Sequence, residues 1–506
     1  MKNPLRFAFF ILIAVLLTFP VSAQDNLSLL RVSFNTVKNQ TTLDENQQKT
    51  IEQLEWEAQN AAANGENTLA AYLYRKGLVL LRGQEWTPEK AFENSIEMTG
   101  GNYYFSPGGS VSLQLVQKVK PDLLLSGNLS GTLSVLQQQG RRFEKIADVK
   151  TDIFVQQEFT ENPAVLTFTL PADITGSAVI RLSISDQEGR AIAEKQFRVG
   201  IISNLEERLN AILSGIDEAK EKWSGKREGL IDVLPTIQYS LELLKSPPAG
   251  LRSGTISAQL DRARTLLTSV LEGNHPFEGK TGDIHKAYIF RQTEELLPYR
   301  LYIPSSYDGS TPFPLIVALH GLGADENSFF DSYGGTLVTL AEQHGYIVVG
   351  PLGYRRDGFY GVSFQGRQKP YNGYGEDDVL QVLEIVRKDY NIDENRTYLM
   401  GHSMGGIGSW YLAGEHPEIF AAIAPFSGLG DPRSLTNITH IPQFVVHGDA
   451  DPTVAVSGSR TMVEAAKKLD IVIEYIEVPG GNHINVVEPN LAKMIEFFSQ
   501  HKKQKK

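Results

Sequence analysis

From residue 280 to residue 501, short continuous apolar runs alternate with segments of helical periodicity, which limits the fold of this 506-residue chain more than any other feature. The runs at 314–319 and 346–350 lack the apolar–polar alternation of a half-exposed strand, so they are typical of strands buried on both faces of a parallel sheet. Further strands are predicted at 397–400, 421–425, 443–446 and 473–478, and helices at 377–388, 405–414 and 459–469. This pattern predicts a doubly wound α/β domain, whose ligands bind at the carboxyl ends of the strands.

The residues before this domain change pattern twice. Residues 24–100 are predicted to be mainly helical, because apolar positions recur at helical spacing. Residues 101–200 alternate apolar and polar positions over several short runs, which predicts a small β-sandwich. Residues 201–279 return to helical spacing and end in a linker. No repeat with a period of about 20 to 50 residues is present, and this excludes a propeller.

Residues 1–23 have the three parts of an export signal. Lys2 and Arg6 precede an apolar run at 7–19, and a small-residue cleavage pattern precedes Gln24. The run is shorter than the ~20 residues that a membrane-spanning helix needs, which favours a cleaved signal over an anchor. We therefore expect a secreted or periplasmic bacterial protein without stable membrane insertion after cleavage.

Charge and residue usage exclude several classes of partner. The formal charge of −11 argues against binding to nucleic acid, which requires a basic surface, and the basic residues at 502–506 are expected to form a solvated tail. The chain has no cysteine, so no disulfide stabilises it. All ten histidines lie at or beyond His275, so a zinc or copper site in the first half is not expected.

The sequence G-H-S-M-G at 401–405 is a G-x-S-x-G pentapeptide between a predicted strand and a predicted helix. Such a turn holds a serine in a strained backbone conformation with its hydroxyl exposed. It also places the serine at a helix N-terminus, where amide donors favour negative charge. Ser403 is therefore the expected nucleophile.

A serine nucleophile needs a base, and the base needs an orienting group. In chain order after such a serine we expect the acid and then the histidine. Asp451 is preferred as the acid over Asp449, because it lies in the pattern H-G-x-x-D-x-x-V of residues 447–454. His483 is the expected base, since it follows the last predicted strand within a glycine-rich loop.

Two backbone N–H groups are expected to stabilise an oxyanion beside Ser403. One belongs to Met404, the residue after the nucleophile. The other is assigned to Leu322, in the loop that follows the strand at 314–319. His320, in the same loop, is expected to have a structural role.

A long loop lies between the strand at 346–350 and the helix that opens near Glu376, and its position predicts that it covers the pocket. Its aromatic side chains suit an aryl acyl group or a sugar ring, while the same side chains could equally pack the loop against the protein. The substrate-binding candidates are Tyr354, Phe359, Tyr360 and Tyr374.

With these motifs in view, residues 280–501 resemble esterases of the α/β-hydrolase superfamily. They are similar to the feruloyl and acetylxylan esterases of carbohydrate esterase family 1 and to polyhydroxybutyrate depolymerases. They also resemble bacterial predicted peptidases related to dienelactone hydrolase and prolyl oligopeptidase. The resemblance is carried by four segments, at 314–323, 401–406, 447–454 and His483, and the first 275 residues lie outside it.

The resemblance implies Ser403, Asp451 and His483 as a catalytic triad, with Leu322 and Met404 at the oxyanion hole. Leu322 departs from the glycine that many feruloyl-type relatives have there, which leaves the acyl preference open. The expected function is a secreted serine hydrolase for carboxylic esters, including polysaccharide-linked feruloyl or acetyl esters, that needs no cofactor or metal. The alternatives are a serine peptidase of the prolyl oligopeptidase type and a non-catalytic glycan-binding or surface protein.

Overall fold

The structure, a computed structural model, describes residues 23–503 apart from 141, 161, 246–252 and 364–367. The expected export signal therefore lies outside the described residues except for Ala23, as do residues 504–506 of the basic tail. The described residues form two compact units, which divide between Asn274 and His275. No helix among them combines the length and the apolar composition that crossing a bilayer requires.

The first unit begins with helices whose apolar stripes pack on one another. They are α1 (Ala23–Gln40), α2 (Glu45–Ala63), α3 (Asn67–Leu81) and α4 (Pro88–Ser95). Asp44 starts α2 with a capping box, in which its carboxylate accepts the N–H of Gln47 while the Gln47 side chain accepts the N–H of Asp44. Ile51 and Ala58 of α2 are buried against α1 and α3.

Two sheets follow and enclose one apolar core. Their strands are β1 (Ile96–Gly100), β2 (Tyr104–Phe105), β3 (Ser110–Gln117), β4 (Leu129–Gln139), β5 (Arg142–Val155), β6 (Ala164–Thr169), β7 (Gly176–Asp186) and β8 (Ala191–Ile201). One sheet has the order β1-β3-β6, and the other has the order β2-β8-β7-β4-β5. Leu113 from the first sheet and Leu133 and Leu182 from the second belong to the shared core. Two sheets that pack over a common core form a small β-sandwich.

Further helices complete the first unit. They are α5 (Leu205–Trp223), α6 (Glu228–Ile231), α7 (Leu234–Lys245) and α8 (Ser253–Leu271). On α5 the apolar positions Leu205, Ile212 and Ile216 are buried, as a stripe at helical spacing requires. Trp223, at the end of α5, donates its indole N–H to the carbonyl oxygen of Val270 on α8 over 2.8 Å.

The second unit is built on an eight-stranded sheet. Its strands are β9 (Gly282–Ile289), β10 (Leu296–Ile303), β11 (Phe313–Leu319), β12 (Ile347–Pro351), β13 (Ile392–His402), β14 (Ala422–Phe426), β15 (Gln443–Gly448) and β16 (Ile473–Val478). Their order in the sheet is β16-β15-β14-β13-β11-β12-β10-β9. The strands from β11 onward pair in parallel, which confirms the predicted parallel sheet.

The strands β9 and β10 add an antiparallel edge that the sequence analysis did not predict. The polar Arg300 interrupts the apolar pattern of β10, yet it is only 7% exposed. Its guanidinium makes two hydrogen bonds to the carboxylate of Asp283 and an ion pair with Asp331. Partners distant in sequence therefore allow this arginine to lie in a buried strand.

Helices cover the eight-stranded sheet. They are α9 (Ser328–Asp331), α10 (Thr336–His344), α11 (Tyr374–Asp389), α12 (Met404–Glu415), α13 (Ser457–Lys468) and α14 (Leu491–Gln500). The loops after β11, β13, β15 and β16 leave the carboxyl ends of neighbouring strands, so they meet at one edge of the sheet. Ser403, Asp451, His483 and Leu322 lie in these loops, while the aromatic substrate-binding candidates lie from the loop after β12 to the first residue of α11.

The core of the β-sandwich should be sensitive to loss of side-chain volume at Leu133. This residue is fully buried on β4, so Leu133→Ala should lower the free energy of unfolding by about 2–5 kcal/mol. The matched control is Phe154→Ala on the neighbouring strand β5, where the side chain is 65% exposed and the change should stay within about 0.5 kcal/mol. Urea unfolding measures both, and equal midpoints for the two variants would contradict the packing described.

Candidate active site

The turn between β13 and α12 carries Ser403 in a strained backbone conformation. Its φ and ψ are 59° and −115°, outside the regions that non-glycine residues ordinarily adopt. Gly401 and Gly405 flank it, and a Cβ at either position would overlap backbone atoms. The contact at Gly405 is with the carbonyl oxygen of Leu319, the last residue of β11. The glycines of the pentapeptide are therefore required for α12 to approach the sheet.

The structure brings Ser403, His483 and Asp451 into one hydrogen-bonded series. The Nε2 atom of His483 lies 2.8 Å from Oγ of Ser403, and its Nδ1 atom lies 2.7 Å from Oδ2 of Asp451. The side chain of Asp451 is fully buried and that of His483 is 14% exposed. The carboxylate can only accept, so Nδ1 carries a proton and Nε2 is left to accept from the serine hydroxyl.

Asp451 is held by more groups than His483 alone. Its Oδ1 accepts the N–H groups of Thr453 and Val454, and its Oδ2 lies 3.2 Å from Nε2 of His447. Burial would raise the pKa of this carboxyl, but the hydrogen bonds from His447 and His483 outweigh burial and hold the pKa well below its usual range. The sequence analysis gave His447 no role, and only its place in the H-G-x-x-D-x-x-V pattern could have indicated one.

Asp449, the second acid of the same loop, makes a different contact from that of Asp451. Its Oδ1 accepts the N–H of Gly480 over 2.6 Å, which ties the loop after β15 to the loop after β16. Gly448 and Gly481 also lie so close that a Cβ at Gly448 would overlap the carbonyl oxygen of Gly481. Asp449 thus supports the loop that carries His483 rather than the ring itself.

The loop after β11 lies beside Ser403. A Cβ placed on Gly321 would be 3.5 Å from Cβ of Ser403. Within the part of the chain that the structure describes, the N–H of Leu322 donates no hydrogen bond, whereas the next N–H, of Gly323, donates to the carbonyl oxygen of Arg356. The N–H of Met404 belongs to the first turn of α12, where amides have no partner within the helix.

His320 is buried in this loop and contacts two backbone carbonyl oxygens. Its Nδ1 lies 2.8 Å from that of Gly321, and its Nε2 lies 2.7 Å from that of Leu352, the residue after β12. Burial lowers the pKa of this imidazole. These contacts join the loops after β11 and β12, so His320 has the structural position expected of it.

The aromatic loop after β12 requires a correction. Tyr360 is fully buried and donates its hydroxyl to the carbonyl oxygen of His320, and Tyr354 is only 6% exposed. Tyr354 packs against both Phe290 and Tyr374. Tyr354 and Tyr360 are therefore unavailable to a bound molecule. Instead of binding substrate, these two side chains pack the loop against the protein.

Phe359 and Tyr374 are both partly exposed and stay candidates for contact with a substrate. No group of three or more metal-ligating side chains suited to a metal ion occurs among the described residues.

The sheet order, the parallel strands and the strand-to-helix turn at Ser403 define an α/β-hydrolase domain. Residues 292–486 match the model of a family described as "Putative esterase". These features relate this part of the chain to the esterases of the α/β-hydrolase fold.

Three relatives illustrate this relationship. The bifunctional acetylxylan esterase/xylanase XynS20E of Neocallimastix patriciarum is 32% identical over 151 residues, 30% of this chain and 21% of the relative. Feruloyl esterase B of Neurospora crassa is 30% identical over 128 residues, 25% of this chain and 42% of the relative. Dipeptidyl-peptidase 5 of Porphyromonas endodontalis is 24% identical over 265 residues, 44% of this chain and 38% of the relative. The chain thus spans less than half of the length of each of these relatives.

A methyl group at Gly405 should disrupt the turn. In Gly405→Ala the new Cβ meets the carbonyl oxygens of Leu319 and His320, which are backbone atoms and cannot rotate away. We expect the free energy of unfolding to fall by about 1–3 kcal/mol or more, because the added methyl group pushes α12 away from β11. Chemical unfolding with near-UV circular dichroism measures the change.

The matched control is Gly414→Ala in the last turn of the same helix. There the nearest atom to a new Cβ is Cβ of the Ser434 side chain, at 3.2 Å. Alanine is also the better helix former by about 1 kcal/mol, so stability should be unchanged or slightly raised. Similar losses of stability in Gly405→Ala and Gly414→Ala would contradict a specific role of Gly405 in the contact between α12 and β11.

Proposed function

We propose that residues 275–506 are a serine hydrolase that cleaves carboxylic esters through an acyl-enzyme. The observation that carries this proposal is the hydrogen-bonded series from Ser403 through His483 to Asp451, with its two contacts of 2.8 and 2.7 Å. A hydroxyl, an imidazole and a buried carboxylate in this order are the groups that activate a serine for attack on a carbonyl carbon.

In the first half of the proposed reaction, Oγ of Ser403 attacks the ester carbonyl carbon while Nε2 of His483 takes the hydroxyl proton. Asp451 keeps Nδ1 protonated and stabilises the imidazolium that forms. The carbonyl oxygen becomes an oxyanion and accepts the N–H groups of Leu322 and Met404. The tetrahedral intermediate then collapses, the alcohol leaves with the proton of His483, and the acyl group stays on Ser403.

In the second half, water replaces the alcohol. His483 takes a proton from the water as it attacks the acyl carbon, and the second tetrahedral intermediate uses the same two N–H groups. When the bond to Oγ breaks, His483 returns the proton to Ser403 and the carboxylic acid leaves. Every proton that moves passes through Nε2 of His483, and the reaction consumes only ester and water.

Acetyl or feruloyl esters carried on polysaccharide are the proposed substrate class. Relatives named as acetylxylan and feruloyl esterases support this choice. Leu322 lies in the loop beside Ser403 and Ile484 directly follows His483, and both side chains are at least partly exposed, so they offer apolar surface to a small acyl group. Phe359 and Tyr374 are the remaining aromatic candidates for a sugar ring or an aryl acyl group.

The second candidate is a peptidase, which the similarity to dipeptidyl-peptidase 5 favours. The described part of residues 23–274 contains a three-stranded and a five-stranded sheet among helices. It lacks the repeated four-stranded blades with which a propeller would restrict access to peptides. We therefore rank ester cleavage above peptide cleavage.

The proposal predicts loss of ester cleavage when the serine hydroxyl is removed. Residues 24–506 are assayed against p-nitrophenyl acetate, methyl ferulate, acetylated xylan and a proline anilide, beside Ser403→Ala. The variant should lose about 10⁴-fold or more in kcat, because the nucleophile itself is absent. Equal rates in wild type and variant would assign any turnover to a contaminant.

The ranking of substrates decides between the candidates. Faster release of acetate or ferulate than of the anilide supports the esterase, and the reverse ranking supports the peptidase. If wild type and Ser403→Ala are both folded and both inert on all four substrates, the enzyme proposal fails and the glycan-binding alternative replaces it.

The two acids of the loop after β15 offer a matched pair. Asp451→Asn should lower kcat by about 10⁴-fold, because an amide no longer holds Nδ1 of His483 protonated. Asp449→Asn should stay within about 3-fold, since its amide oxygen can still accept the N–H of Gly480. Initial rates on p-nitrophenyl acetate measure both, and a larger loss in Asp449→Asn would reverse the assignment.

We also propose that the chain is exported in bacteria, which would bring it to polysaccharide esters outside the cell. The export signal predicted at residues 1–23 supports this proposal. N-terminal sequencing of the protein recovered from periplasm or medium tests it. A first residue of Gln24 is expected, and an uncleaved Met1 would contradict it.

A further inference from the structure

The main chain of His483 is held separately from its ring. Its carbonyl oxygen lies 2.7 Å from Nε2 of His402 and accepts the hydroxyl of Ser427 over 3.2 Å. His402 directly precedes Ser403 in the chain, and Ser427 directly follows β14. Two neighbouring strands thus provide donors to the residue that carries the predicted base.

Hydrogen-bond chemistry fixes the protonation of His402. A backbone carbonyl oxygen only accepts, so Nε2 of His402 must carry a proton. Burial and the neighbouring His483 lower the pKa of His402 to about 3, which leaves the imidazole neutral. Its Nδ1 atom therefore has a free lone pair, and the hydroxyl of Tyr333 lies 2.9 Å away to donate to it. A directed series runs from Tyr333 through His402 to His483.

His483 needs such a support because it lies in a loop. It follows β16 after two glycines, Gly480 and Gly481, and neither a helix nor a strand fixes its backbone. Asp451 and Ser403 contact the two ring nitrogen atoms, but neither contact holds the main chain that carries the ring. A separate attachment at the main chain, from the residue next to Ser403, sets the distance between base and hydroxyl.

We propose that His402 is a positioning residue, which together with Tyr333 holds the main chain of His483 so that its ring stays directed at Ser403. This inference rests on the proposed function, because it assigns His402 a part in the same reaction. His402 is only 6% exposed and contacts the main chain of His483, so its part in the reaction is to act through His483. Misplacement of a catalytic group by about 1 Å costs on the order of 100-fold in rate.

The test compares two substitutions of His402 that differ in the donor they keep. His402→Leu removes the donor, and kcat on p-nitrophenyl acetate should fall about 100-fold while KM changes less than about 3-fold. His402→Gln keeps an N–H at a similar reach, and it should recover at least about 10-fold of that loss. Tyr333→Phe should lose about 10-fold in kcat, since the imidazole ring is no longer fixed at Nδ1.

The matched control is His440→Leu. Its Nε2 also lies 3.0 Å from a backbone carbonyl oxygen, that of Pro417, but the side chain is exposed and outside the site. Its kcat should equal that of the wild type. A kcat of His402→Leu within 3-fold of the wild type would overturn the inference, and so would a loss that His402→Gln does not relieve.

A measurement that needs no turnover separates this inference from the proposed function. In the full chain with ¹⁵N-histidine, His402 is assigned by the signal that His402→Gln lacks. We expect a neutral ring protonated at Nε2 that does not titrate between pH 5 and 8, with an Nδ1 shift that moves in Tyr333→Phe. Protonation at Nδ1, or titration in that range, would contradict the inference even if His402→Leu fails to fold. If the wild type is inert on esters, the proposed function fails. The histidine signals still show whether Nε2 of His402 donates to the main chain of His483.

Discussion

The approach of α12 to the sheet at the turn of Ser403 is the constraint on which the rest of the second unit depends. Backbone lies against backbone there, because Gly401 and Gly405 have no Cβ to separate β13, α12 and the end of β11. The same approach places the first turn of α12, with the N–H of Met404, and the loop that carries Leu322 beside Ser403. Strain in φ and ψ at Ser403 persists because these contacts leave no room for relaxation.

The remaining site residues depend on the sheet in a different way. Asp451 and His483 follow adjacent strands, β15 and β16, and the two loops are joined by the bond from Gly480 to Asp449. His447 holds Asp451 from within β15, and His402 holds His483 from the end of β13. The functional side chains are therefore placed by the strands, and each loop is fixed by a polar contact to a strand residue.

Much of this arrangement could be predicted from the sequence, because it follows from local signals. Buried parallel strands produce continuous apolar runs, and the strand-to-helix turn has its glycine pattern, so the sheet and the positions of Ser403, Asp451 and His483 could be anticipated. Their roles in catalysis stay predictions. The edge strand with Arg300 could not be anticipated, and the sequence left open whether Tyr354 and Tyr360 pack the loop down or bind substrate. Arg300 and Tyr360 are hydrogen-bonded by partners that are far away in the sequence, which no local signal indicates.

The division of the chain between Asn274 and His275 coincides with a division in residue usage, since all ten histidines lie on the second side. Imidazole is the side chain whose ordinary titration lies between pH 5 and 8. Selective histidine labelling therefore makes one unit visible to magnetic resonance and leaves the other silent. The natural histidines of the chain therefore report on the second unit alone, and no tag or foreign residue has to be introduced.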